Sequence, residues 1–201
     1  MSYFQYGQTE TAYLKRKDKK LGVVIDRFGP IEREITPDLF SALMESIISQ
    51  QISTKAAETV TERFYKLLGG TVTPETVLKA GTEAVKGCGL SYRKTSYILG
   101  TAEAGAGGLV NFSDLTALPD KDIIKVLSSL KGVGVWTAEM LLIFALERPD
   151  VVSFGDLAIR RGMMRLYGHD GLSREQFEVY RKRYSPYGSV ASLYLWALAA
   201  E

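Results

Sequence analysis

Apolar residues recur at three- and four-residue steps along most of the chain. The clearest run is Leu39, Phe40, Leu43, Met44, Ile47 and Ile48, which lays one apolar face along a helix starting after Pro37. Ser49-Gln50-Gln51-Ile52 breaks it. Ser53 can cap the next helix, which runs through Phe64 to a glycine stop at Gly69-Gly70. Thr73-Pro74 is a cap followed by proline at the first helical position. Ser91 can cap a helix towards Gly105, and Leu118-Pro119-Asp120 opens another to Ser129. Ser173 to Gln176 has capping-box spacing, and a last helix starts near Gly188 with Leu193, Leu195, Trp196 and Leu198.

Strand alternation is almost absent, and Gly70 to Thr73 is too short to count. The pattern predicts roughly ten helices and an all-α fold. There is no internal repeat and no low-complexity linker. Two helical lobes are expected: approximately 36–130 as the first, and 1–35 plus 131–201 as the second. Residues 1–35 are the least readable, with a polar run from Lys15 to Lys20 and a short apolar stretch after Leu21.

Leu130 to Asp156, LKGVGVWTAEMLLIFALERPDVVSFGD, organises the rest. Gly132 and Gly134 allow a sharp turn and leave backbone amides uncovered by side chains. An apolar helix is expected from Val135 to about Glu147, with Pro149 ending it. Its N-terminus and the turn together suit one phosphate. The alternative is an ordinary helix–helix turn. Asp156 then heads a basic helix, LAIRRGMMRLYG. It is the only acid between Val151 and Tyr167, and it reads either as an N-cap or as a carboxylate that stabilises developing positive charge.

Charge changes this picture little. A formal net charge of +2 forces no nucleic-acid partner, although Arg160-Arg161 with Arg165 and Arg181-Lys182-Arg183 are local basic clusters. The single cysteine, Cys88, excludes an internal disulfide, a four-cysteine zinc site and a cysteine-ligated iron–sulfur cluster. No signal-peptide pattern opens the chain, and no run reaches the roughly 18 apolar residues of a membrane span. A cytoplasmic, nucleoid-associated monomer is the expectation.

Residues 130–156 resemble the helix–hairpin–helix, Gly/Pro-rich loop and aspartate of the HhH-GPD DNA glycosylases, and within them the alkylation-repair branch of 3-methyladenine DNA glycosylase II type. Ile47 to Ala57 (IISQQISTKAA), Gly89 to Thr95 (GLSYRKT), Leu118-Pro119-Asp120, Tyr184 to Tyr187 and Leu193 to Trp196 also match, so the resemblance covers roughly residues 36–200.

The resemblance implies a two-lobed helical glycosylase that flips alkylated purines out of duplex DNA and hydrolyses their glycosidic bond. It gives Asp156 as the catalytic carboxylate. Gly132, Val133 and Gly134 become the phosphate-binding hairpin, and the carbonyls of Ser128, Leu130 and Val133 could hold a structural monovalent cation. Gln51 becomes the wedge that fills the vacated stack, with Arg160 and Arg161 gripping phosphates. Trp136 and Trp196 would face the base, and Met140 and Ala158 stand where some relatives have bulkier pocket residues. Relatives that also cut the strand carry lysine where this chain has Trp136, so the resemblance implies a monofunctional enzyme that requires no cofactor. An N-terminal β domain known in that branch is expected to be missing, and Gly155 leaves only one acid where a pair is usual. A glycosylase for oxidised or deaminated bases and a non-catalytic hairpin module remain the alternatives.

Overall fold

A computed structural model describes residues 2–201. In chain order its elements are β1 (Ser2–Tyr3), α1 (Gln8–Lys17), α2 (Lys19–Phe28), β2 (Glu34–Ile35), α3 (Leu39–Ser49), α4 (Thr54–Leu67), α5 (Pro74–Gly87), α6 (Tyr92–Ala106), α7 (Phe112–Leu115), α8 (Asp120–Ser128), α9 (Val135–Phe144), α10 (Leu157–Tyr167), α11 (Arg174–Tyr184) and α12 (Gly188–Ala200). The fold is all-α apart from one two-residue antiparallel pairing, Ser2 opposite Ile35 and Tyr3 opposite Glu34. Among the described residues no helix is long and apolar enough to cross a membrane. The chain divides into two compact units, residues 36–141 and residues 1–35 with 142–201, the division falling inside α9.

Local sequence sets most helix starts. The side chains of Ser53, Thr73, Ser91 and Ser173 each accept a backbone N–H from the first turn of the helix they precede, as their positions predict. Twelve helices are observed among the described residues, against the roughly ten expected, because residues 1–35 contribute two and the single-turn α7 adds another. α9 ends at Phe144, three residues before the expected Glu147. Glu147 adopts φ +49° and the Arg148 N–H bonds back to the Leu142 carbonyl at 2.8 Å, so the chain unwinds before Pro149 can act.

In the unit 36–141, α3 is enclosed. Leu43, Met44, Ile47 and Ile48 are all fully buried, and with Phe64, Val77, Ile98, Ile123 and Leu127 they form the core. α5 is broken at Gly81, whose φ of +78° separates two helical segments.

In the other unit, α10 and α12 touch backbone to backbone. A Cβ on Gly162 would stand 2.2 Å from the Leu195 carbonyl oxygen, so only glycine allows this approach. α1 and α2 are joined through the buried Asp18. Its carboxylate accepts from the Leu21 N–H (3.0 Å), the Tyr167 hydroxyl (2.6 Å) and the Arg183 guanidinium (3.3 Å). A buried carboxylate is stable only with such a set of donors. Burial, reinforced by these neighbours, pushes the Tyr167 hydroxyl far above its ordinary pKa.

Candidate functional site

The hairpin lies in the unit 36–141. After α8 the chain tightens through Leu130 N–H to Leu127 O and Val133 N–H to Leu130 O, both 3.1 Å. Gly132 sits at φ +84°, and a Cβ there would lie 2.2 Å from the Tyr97 ring. Two constraints therefore require glycine: the left-handed backbone and the tyrosine beneath it. Leu130 and Val133 are buried and hold the turn from below, while Lys131 and Gly134 are exposed. Around a Gly134 Cβ there is open space. Its carbonyl accepts the first helical bond of α9, from Ala138 at 3.0 Å. The first turn of a helix directs amide N–H groups outward, and a phosphate suits them.

The Ser49–Ile52 break sits against this hairpin. The Gln50 side-chain amide donates to the Gly132 carbonyl at 2.9 Å. Gln51 is exposed at φ +58°, a left-handed conformation held by a non-glycine residue, which projects its side chain from a constrained turn. Lys94 steadies the same turn by donating to the Ile48 carbonyl at 2.7 Å, and burial holds its ammonium below the usual lysine pKa. A cavity of about 290 Å³ opens between this turn and Gly89 to Ser91.

Trp136 occupies the first turn of α9 and is 47% exposed. That exposure argues against a core-packing role. Met140, four residues on and half-buried, lies on the same helix face.

The carboxylate lies in the other unit. Asp156 is 7% exposed and caps α10, its Oδ1 accepting the Ile159 N–H at 2.8 Å. Asp156 is thus an N-cap, and the cap fixes the direction of its carboxylate. Gly155 beside it is exposed. The loop that carries Asp156 is sewn to α12 by two serines. Ser189 Oγ accepts the Val151 N–H (3.0 Å), and Ser192 Oγ donates to the Val151 carbonyl (3.0 Å). Asp150 accepts the Gly188 N–H (3.1 Å) and the Ser185 hydroxyl (2.6 Å). Sequence reasoning passed over Ser189 and Ser192. The available signal was two serines three apart in an otherwise apolar helix.

Ala158, half-buried, sits in the first turn of α10. Arg160 is half-buried and Arg161 exposed on the next turn. Trp196, half-buried on α12, stacks obliquely on Phe144 with ring centroids 5.5 Å apart. Arg33 places its guanidinium 5.4 Å from the same Phe144 ring.

The structure therefore gathers Gln51 and the hairpin in one unit, and Asp156, Ala158, Arg160 and Arg161 in the other. Of the hairpin carbonyls, Ser128 O terminates α8 and Leu130 O already accepts from Val133. A helix-terminal carbonyl of that kind is suited to a hard monovalent cation.

A family model described as HhH-GPD superfamily base excision DNA repair protein matches residues 44–186. DNA-3-methyladenine glycosylase 1 of Schizosaccharomyces pombe is 31% identical over 182 residues, covering 89% of this chain and 80% of its own. The crystal structure of a DNA-3-methyladenine glycosidase from Bacillus halodurans superposes with a TM-score of 0.87 at 35% identity, over 99% of this chain and 93% of that one. The S. pombe 3-methyladenine DNA glycosylase solved with abasic DNA gives 0.79 at 29% identity, over 94% and 95%.

Proposed function

Because the chain belongs to the HhH-GPD superfamily of base excision DNA repair proteins, we propose that it is a monofunctional DNA glycosylase that removes alkylated purines of the 3-methyladenine and 7-methylguanine type from duplex DNA. The observation that carries this reading is Asp156, a nearly buried carboxylate whose direction is fixed by its own helix cap and whose neighbour Gly155 is exposed.

In this reading the target base leaves the duplex before chemistry. Gln51 enters the vacated stack, and the hairpin at Gly132, Val133 and Gly134 takes a phosphate with its backbone. Arg160 and Arg161 hold further phosphates. Trp136 and Met140 on α9, and Trp196 and Ala158 in the other unit, are each assigned to the base. N-alkylation at these positions makes the purine cationic, and an aromatic face attracts such a cation by about 1–2 kcal/mol once both are dehydrated.

The positive charge also makes the base a good leaving group. The glycosidic electron pair departs with it, and the purine leaves neutral. Positive charge moves to the deoxyribose, where the Asp156 carboxylate stabilises it. Water adds to the sugar carbon and gives up one proton, which Asp156 can accept. The products are a free base and an abasic site. Tryptophan at 136 has no amine to form a Schiff base, so no strand cleavage follows. A monovalent cation on the carbonyls of Ser128, Leu130 and Val133 would stiffen the hairpin and offset phosphate charge.

The test is release of methylated purines from methylated duplex DNA, beside duplexes carrying 8-oxoguanine or hypoxanthine. Release confined to the methylated substrate supports the reading. Release only from the oxidised or deaminated duplexes overturns the substrate class. Binding without any release makes the chain a non-catalytic module. A covalent protein–DNA adduct trapped by borohydride would sink the monofunctional assignment.

A further inference from the structure

Phe154 stands two residues before Asp156 on the loop that carries it. Its ring meets the buried Phe177 of α11 edge-on, with centroids 5.1 Å apart and planes at 83°. That contact ties the loop to α11. Two guanidinium groups converge on the same Phe154 ring. Arg160 of α10 lies 5.2 Å from its centroid, and Arg174, in the first turn of α11, lies 5.1 Å from it.

Each guanidinium is attracted to the ring. Neither belongs to an ion pair among the described residues. Arg160 Nε is buried and meets no acceptor there. Glu175 is the nearest acid in sequence to Arg174, and it is fully exposed. Its carboxyl is drawn below the usual range first by its own backbone N–H and then by Ser173, with Arg174 a smaller contributor. Two guanidinium groups placed on one ring, neither of them in an ion pair among the described residues, are an arrangement that an anion can complete. Planar forked donors fit the oxygens of a phosphate two at a time.

We infer that Arg160 and Arg174, gathered on Phe154, form a two-guanidinium clamp for one phosphodiester of the DNA strand. The inference rests on the DNA-repair reading above and adds to it a residue, Arg174, and a platform, Phe154. The platform is part of the Asp156 loop, so a phosphate held there sets the register of the strand relative to the carboxylate. Contacts to phosphate carry register rather than sequence, which is what an enzyme acting at any alkylated purine requires.

The experiment measures binding of the full chain to an abasic-site duplex across a salt series, for the unaltered protein, Arg174→Gln, Arg174→Lys and a control, Lys79→Gln, on the exposed face of α5. Arg174 is exposed, so these variants should fold, and matching thermal melts check this. Arg174→Gln should flatten the slope of log affinity against log salt by about 0.9, the share of one phosphate, and weaken binding several-fold. Arg174→Lys should keep the slope and lose affinity, because the charge stays and the fork is gone. Lys79→Gln should change neither.

An unchanged slope in Arg174→Gln overturns the clamp. Inorganic phosphate binding that Arg174→Gln abolishes, with the duplex slope intact, identifies a free-phosphate site instead and also overturns it. Base release is assayed on the unaltered protein in parallel. Binding with the predicted slope change but no base release leaves the clamp standing and removes only the glycosylase reading. Failure of the unaltered protein to bind duplex removes both.

Discussion

Gln50 donates its side-chain amide to the carbonyl of Gly132 across 2.9 Å, joining positions 82 residues apart. The bond runs between the turn that projects Gln51 and the hairpin assigned to phosphate, and so couples the two. Gln50→Leu should cost about 1 kcal/mol, the net worth of an ordinary hydrogen bond, and lower the melting temperature by about 2–4 °C. Gln50→Glu should cost more, because a carboxylate would face the carbonyl. Both should weaken binding to an abasic duplex by more than their stability loss explains. Equal binding by all three proteins would show that the two elements act independently.

Asp156 has two roles that two substitutions separate. Asparagine caps a helix about as well as aspartate, so Asp156→Asn should melt near the unaltered protein while losing about 100-fold or more in base release. Asp156→Ala removes the cap as well and should cost about a further 1 kcal/mol of stability. Thermal melting and single-turnover base release distinguish these outcomes. Full activity in Asp156→Asn would remove the carboxylate from the mechanism.

The two hairpin glycines should differ. Gly132→Ala forces a Cβ into the Tyr97 ring at φ +84° and should destabilise by about 2 kcal/mol or more. Gly134→Ala meets open space in the protein and should melt normally. Its added methyl would stand where a phosphate must approach, so it should weaken duplex binding. Normal duplex binding by Gly134→Ala would put the phosphate elsewhere.

Tyr65 supplies a pH signature. Burial, together with its 2.6 Å hydrogen bond to the Glu45 carboxylate, raises its pKa from 10.0 to about 12. The folded protein thus holds this proton more tightly than the unfolded chain. The stabilisation is complete below pH 10 and disappears as pH rises towards 12. Denaturation of the unaltered protein and Tyr65→Phe should show an advantage for tyrosine at pH 8 that narrows through that interval. A constant difference would mean that the folded protein does not raise the Tyr65 hydroxyl above its ordinary value.

The sequence by itself determined the elements whose cause is local. The apolar period set α3, and Ser53, Thr73, Ser91 and Ser173 began their helices, because an N-cap acts within three residues of itself. Gly132, Gly134 and Asp156 were legible for the same reason: a sharp turn and a helix head leave short-range marks. The end of α9 was not legible. It is closed by Glu147 in a left-handed conformation, with no glycine to announce it. Tertiary structure alone decided the docking of residues 1–35, which depends on Tyr167 and Arg183 reaching Asp18 from positions 149 and 165 residues away. It also decided the bond from Gln50 to Gly132, the serines of α12 that hold the Asp156 loop, and the convergence of Arg160 and Arg174 on Phe154. Each of these joins groups far apart in the chain. A hydrogen bond or a cation over a ring requires ångström-scale placement of both partners, and only the folded backbone provides it.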